Sequence, residues 1–290
     1  WNVGVGFAVG AKQSGLTLDM GANHGKGNTD GIDVTQVNTH VTAGKTATIN
    51  SGGDTDMRGA VVTAPAVTGK IEGNLLVESV QDTSTYTNKQ SSSGFGVSLC
   101  VPPLCVGDPG LQSANVSGGK TNTTSTYASV AEQSRIRAGD GGFQIAVKGD
   151  TVLNGGAVTS TQKAVGDGKN SFVHGGAIIT SDIQNSASYD AKGYSVSAGM
   201  GSGYDKSGQA NPSGSFGVGQ ASGSAGSVTQ AAISGIAGNK DARTGDARTK
   251  IAPIFDKDKV CDAADSRATH QWHLVHSCPD RRAESRAQVS

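Results

Sequence analysis

The chain is poor in aromatic residues (4%), proline (seven), cysteine (four) and charge (17%), and its formal net charge is zero. Each scarcity excludes something. Without a basic excess there is no electrostatic footprint for nucleic acid, so no nucleic-acid partner is expected. Cys100, Cys105, Cys261 and Cys278 are too few for a disulfide-stapled scaffold in 290 residues. No apolar run approaches the roughly 18 residues of a membrane helix. The first residue is Trp1, with no Met, basic n-region or apolar h-region, and the text starts mid-pattern; a segment of a longer protein, without a signal peptide, is expected. Low hydrophobicity alone points to disorder. Disorder usually brings high net charge or abundant proline, and both are missing.

What is there is glycine, 43 residues of it, with much Ser, Thr, Asn and Ala. The apolar residues are mostly Val, Ile and Ala, which favours strands with small side chains. The chain also repeats itself. "VTAGKTATINSGGDTDMRGAVV" (41–62) aligns with "IRAGDGGFQIAVKGDTVLNGGAV" (136–158). Gly44 answers Gly139, Asp54-Thr55 answers Asp150-Thr151, and Gly59-Ala60-Val61 answers Gly156-Ala157-Val158. Each copy then reaches a polar phrase, "QDTSTYTNKQSSSGFGVSL" (81–99) or "QNSASYDAKGYSVSAG" (184–199), with Tyr86 answering Tyr189. The reading is one duplicated module, about 35–90 and 122–190.

Within a module, three to five residues with alternate Val, Ile, Leu or Ala are followed by Gly, Asn or Asp, as in "TATIN", "GNLLVESV", "FQIAV" and "GAIITSDI". Alternation predicts strands, and the stops predict tight turns. Strands this short cannot bury an apolar face singly but can when stacked. The fold class expected is therefore all-β, a right-handed parallel β-helix over residues 1–240 with β-hairpin excursions, followed by an irregular tail over 241–290. A β-sandwich fits the composition equally but explains the repeat less well.

Between the modules the alternation changes character. "WNVGVGFAVG" places Trp1, Val3, Val5 and Phe7 on one face and Asn2, Gly4 and Gly6 on the other. "GFGVSL" does the same with Phe95, Val97 and Leu99, and "GYSVSAGM" with Tyr194, Val196 and Met200. Each precedes a turn-rich stretch and a returning strand such as "LTLDM" or "SFGVG", which is hairpin grammar. On this reading the polar phrase closes a rung of the array and the alternation after it opens a hairpin. Such hairpins either cover the solenoid or pair in water, or else face lipid, since a lipid-facing strand needs about 9–11 alternating residues.

Apparent chemical motifs do not withstand inspection. Two Gly-Lys-Thr triplets (44–46 and 119–121) lack the glycine a phosphate loop needs upstream, where Thr39 and Ala114 stand; both read as turns. "AGDGGF" (138–143) occurs once, without the repetition a calcium-binding array requires, and reads as a turn. His24, His40 and His174 sit singly. In the tail, His270, His273 and His276 lie between Cys261 and Cys278. Zinc ligation, a Cys261–Cys278 bridge, a disordered end and a small toxin using these histidines all stay open there. A local bridge between Cys100 and Cys105 is plausible because they flank a hairpin tip. No catalytic, cofactor-binding or metal residue is assigned.

Longer phrases carry a family resemblance. "GGDTDMRGAVV", "GNLLVESVQDTSTYTNKQSS", "YASVAEQSRIRAGDGGFQI", "GKNSFVHGG", "ITSDIQNSASY", "ISGIAGNKDARTGDA" and "IAPIFDKDKV" span nearly all of residues 1–259. They resemble the haemagglutinin-repeat region of two-partner-secreted exoproteins, the filamentous haemagglutinins and contact-dependent growth-inhibition toxins of Gram-negative bacteria. The resemblance implies a secreted, cell-surface β-helical filament without enzymatic activity in this region. It implies an outer-membrane two-partner-secretion transporter as export partner and a target cell surface or outer membrane as contact. In the toxin members it implies help in moving cargo across the target's outer membrane; plain adhesion to a surface glycan or protein is the alternative. From Cys261 onward the text leaves the family pattern, and a truncated or out-of-frame end is the reading.

Overall fold

The structure is a computed structural model, and it describes residues 1–9, 14–106, 110–201 and 211–246. Strands β1 (Asn2–Val9) and β2 (Ser14–Val34) form a first hairpin. A short rung follows: β3 (Thr39–Thr42), β4 (Thr46–Ser51) and β5 (Thr55–Arg58). The next is β6 (Ala60–Ile71) and β7 (Leu75–Glu78). A second hairpin leaves from there, β8 (Gln81–Val106) and β9 (Gly110–Val130). Two more rungs come next. One is β10 (Arg135–Val147) with β11 (Thr151–Asn154). The other is β12 (Ala157–Thr159), helix α1 (Gln162–Gly166), β13 (Ser171–His174) and β14 (Ile178–Ser181). A third hairpin, β15 (Ile183–Gly201) and β16 (Asn211–Thr229), precedes the short β17 (Ala232–Ile233) and β18 (Ala237–Gly238).

The rungs stack in parallel register along two sheets. In one, Val41, Val62, Ile136, Val158 and Ile233 form a single row through β3, β6, β10, β12 and β17. In the other, Met57, Val77, Leu153 and Thr180 do so through β5, β7, β11 and β14. Ile136, Phe143, Leu75, Val77, Leu153, Val158 and Ile233 are fully buried and form one core with Val67, Ile71 and Ile145. Each such side chain contributes about 1.5–3 kcal/mol through burial, which no single rung could supply alone.

A polar ladder fixes the register of the second sheet. The Asn74 N–H donates to Asp54 Oδ1 (2.7 Å), the Asp150 N–H to Asn74 Oδ1 (2.8 Å) and the Ala177 N–H to Asp150 Oδ1 (2.7 Å). Each donor follows a glycine. A Cβ on Gly73, Gly149 or Gly176 would fall on the side-chain oxygen reaching across from the rung before. The repeated Gly-Asp or Gly-Asn dipeptide is thus the sequence signature of this joint.

The all-β class expected from sequence is borne out, with α1 the only helix among the described residues. The largest feature, however, is not a parallel array. β1, β2, β8, β9, β15 and β16, in that order, make one antiparallel sheet of long strands. The two polar phrases lie wholly inside β8 and β15; they do not close a rung before a hairpin starts. Tyr86 and Tyr189 both pair with Ser125 of β9. The physical reason is that the buried face of this sheet is filled by small and polar side chains, such as Asn88, Thr123, Ser125 and Asn185, in place of large apolar ones, so Ser/Thr-rich text continues a strand without apolar alternation to announce it. For the same reason Gly119-Lys120-Thr121, expected to be a turn, is mid-strand in β9. "AGDGGF" is likewise a bulge within β10, with Gly142 at φ +68° and a Cβ there only 2.8 Å from Lys169 O.

Candidate functional site

Polar side chains tie the bases of the second and third hairpins together. Asn185, 2% exposed, accepts the Val130 N–H (2.9 Å) on Oδ1 and donates through Nδ2 to Thr229 Oγ1 (2.9 Å) and Ser227 Oγ (3.1 Å). Gln81 Nε2 donates to Gln184 O (2.9 Å), tying the bases of β8 and β15 together across β9. From this base the strands run outward as one sheet.

Its outer half has two unlike faces. Antiparallel partners share a face, so rows can be read across all six strands. One row is Val3, Met20, Val97, Ala114, Met200 and Pro212. The next towards the base holds Ala22, Phe95, Val116, Ala198 and Gly214, then come Val196 with Phe216 and Tyr194 with Val218. Towards the tip, Val5 pairs Leu18, which pairs Leu99, and Phe7 pairs Leu16. Trp1 meets the Phe95 ring edge-on, centroids 6.1 Å apart. Every residue singled out from sequence for a lipid-facing role (Trp1, Val3, Val5, Phe7, Phe95, Val97, Leu99, Tyr194, Val196, Met200) therefore falls on one face of one sheet. From Tyr194 to Met200 the apolar band measures about 20 Å along the strand.

This face is open. Phe7 (69%), Val116 (56%), Phe216 (71%) and Val218 (61%) are exposed. Scattered surface apolar residues are ordinary, whereas a continuous patch of this width marks an interaction surface. The opposite face is small and polar. Its glycines admit side chains from the neighbouring strand: a Cβ on Gly94 or Gly96 would collide with Asn23 Oδ1 or Asn115 Oδ1. The sheet is not closed, since β1 and β16 pair on one side only among the described residues.

Sequence reasoning did not assign Leu16, Leu18, Met20, Leu111, Val116, Phe216 and Val218 to the face. "LTLDM" and "SFGVG" did show the alternation as returning strands. Val116 stands isolated in "SANVSGG", and only the pairing of Val116 with Phe95 places it. Cys100 is held in a disulfide and is buried beside Thr17 on the polar side. The Cys105 side chain, Cys261, Cys278 and the histidines of the tail lie outside the described residues. His40 Nε2 meets Glu132 Oε2 at 2.8 Å. Among the described residues no three His, Cys, Asp or Glu side chains are grouped to hold a metal.

Comparison with known proteins gives a consistent picture. Residues 1–94 match the hemagglutinin repeat family. The chain is 32% identical over 281 residues to the "tRNA nuclease CdiA" of Yersinia mollaretii, covering 90% of this chain and 9% of that protein. It is 35% identical over 279 residues to the "Toxin CdiA" of Escherichia coli, covering 89% and 8%. It is 34% identical over 269 residues to the "Deoxyribonuclease CdiA" of Yersinia pseudotuberculosis, covering 88% and 24%. The chain thus spans a minor part of the curated relatives it matches. No solved structure matches it.

Proposed function

Since the chain is a hemagglutinin-repeat segment homologous to the CdiA contact-dependent inhibition proteins over most of its length, we propose that it is a non-enzymatic part of a secreted, cell-surface delivery filament whose hairpin sheet contacts a target cell's outer membrane. The observation that carries this is the apolar face shared by six strands and left uncovered. Its height, about 20 Å, approaches the roughly 25 Å apolar band of outer-membrane barrels, and aromatics sit within it. One face apolar and the other Gly/Ser-rich is the division a barrel wall shows between lipid and lumen.

An open edge is unfavourable in lipid, because its N–H and C=O groups find no partners. Each duplicated unit adds one hairpin to the same sheet, so hairpins from neighbouring repeats would extend it from β1 and β16. We read the parallel rungs as turns of a right-handed β-helix that supplies reach, with the hairpins as its lateral contact element. Relatives named for two different activities, a tRNA nuclease and a deoxyribonuclease, match this segment at similar identity. That supports a role in delivery shared between them and no catalysis here. Export through an outer-membrane two-partner-secretion transporter, and a place on a Gram-negative cell surface, belong to the same reading.

Flotation with lipid vesicles tests it. The chain rises with the vesicles if the reading holds. A chain that stays at the bottom of the gradient, folded and monomeric, removes the membrane role and leaves a spacer or a protein-binding adhesin.

A further inference from the structure

Immediately below the apolar band the same face changes to lysine. Lys26 of β2, Lys89 of β8, Lys120 of β9 and Lys192 of β15 all project from the side that carries Met20, Phe95, Val116 and Val196, because each is an even number of residues from those side chains. The register brings them to two adjacent rows. Lys89 pairs Asn122, which pairs Lys192. One step outward, Lys26 pairs Ser91, which pairs Lys120, which pairs Tyr194. Four consecutive strands therefore each place one ammonium group along the lower border of the apolar zone.

All four lysines are exposed. Lys192 Nζ lies 3.1 Å from Asp190 Oδ2, one row nearer the base, where Asp30 also stands. Lys26, Lys89 and Lys120 make no ion pair among the described residues. In the parallel stack four lysines do find carboxylates: Lys70 and Lys148 meet Glu72, and Lys163 and Lys169 meet Asp167. Three of the four ammonium groups in the belt thus stand outside any ion pair among the described residues, at the edge of an apolar surface.

We propose that this belt is a docking stripe for the phosphate groups of an anionic lipid leaflet, setting how deeply the hairpin sheet enters. The inference rests on the membrane reading above and adds to it the class of lipid. Apolar side chains supply entry into the acyl region, while ammonium groups at headgroup level select phosphate and stop further penetration. The occupant is a lipid surface: the cations follow the base of an apolar band across neighbouring strands, the order in which a leaflet presents acyl chains and then phosphates.

The test measures binding of the full chain to two vesicle compositions, phosphatidylcholine alone and phosphatidylcholine with phosphatidylglycerol. At about 1 kcal/mol per lysine near an anionic surface, roughly fivefold each, the expected preference for the anionic vesicles is about 10- to 100-fold after screening. It should shrink towards onefold in 1 M salt, where the Debye length is about 3 Å. The variant K26Q/K89Q/K120Q/K192Q should bind both vesicles as the parent binds phosphatidylcholine. The variant K70Q/K148Q/K163Q/K169Q, with the same change in charge on the stack, should keep the preference. Equal parent binding to both vesicles overturns the inference and leaves the membrane reading standing. Loss of preference in both quadruple variants overturns it too, because net charge would then suffice. No binding to either vesicle, with the apolar faces paired in a dimer by analytical ultracentrifugation, overturns inference and membrane reading together.

Discussion

Asn74 Oδ1 accepts the backbone N–H of Asp150 at 2.8 Å although 76 residues separate them. Between the two, the chain has left the stack, built the whole β8–β9 hairpin and returned in register. The ladder Asp54–Asn74–Asp150–Ala177 is what makes that return unambiguous, since a slip of one residue would break every step and turn buried side chains outward. D150A should cost about 0.5–1.5 kcal/mol for the lost hydrogen bond. G149A should cost more, about 1–3 kcal/mol, because its Cβ meets Asn74 Oδ1 and lies 2.8 Å from Gly73 O. Urea denaturation ranks the two; a harmless G149A would contradict the close-approach account.

Asn185 joins the bases of the second and third hairpins. N185A leaves the Val130 N–H without its partner in a buried setting, which costs about 1–3 kcal/mol. Hydrogen exchange should quicken first at the bases of β9 and β15 while β10 stays protected. Uniform loosening of the stack would show that the joint is not local.

Two phenylalanines separate stability from binding. Phe143 is fully buried in the core, and F143A should lower stability by about 3–5 kcal/mol. Phe216 is 71% exposed on the apolar face, and F216S should stay within about 0.5 kcal/mol of the parent while weakening vesicle flotation. If F216S unfolds the chain, the face is core and not contact surface.

The Lys70–Glu72 pair has a defined pH sign. The hydrogen bond from Lys70, then the charges of Lys70 and Lys148, hold the Glu72 carboxyl below its ordinary value. Its share of stability is fully present above that ordinary value and is lost as pH falls through the depressed folded one. Lys70 is raised, by its hydrogen bond to Glu72 first; its share is present below the ordinary lysine value and is lost as pH rises through the folded one. Both groups are exposed, so salt weakens the effect. An NMR titration should find Glu72 below the usual glutamate range and K70A should move it back up.

Sequence patterns reveal local periods well and pairings across distance poorly. Val3, Val5 and Phe7 alternate with Asn2, Gly4 and Gly6, so a two-faced strand is visible in a few letters. The match of Asp54-Thr55 with Asp150-Thr151 is equally visible, and the structure places Thr55 and Thr151 in one row on either side of Leu75. The length of β8 is not visible, because "QDTSTYTNKQSSS" carries no apolar alternation and its strand character comes from neighbours on both sides. The lysine belt is hidden for a related reason. Lys26, Lys89, Lys120 and Lys192 occupy unrelated local contexts and are brought together by register alone.

The most direct test of the central claim uses the alternation itself. An environment-sensitive dye is placed one residue at a time on β9 from position 114 to 118, and its emission is read with and without anionic vesicles. Contact through one face predicts a blue shift at 114, 116 and 118, the side of Phe95 and Val196, and none at 115 and 117. Equal shifts at odd and even positions, or no shift at any, would contradict it.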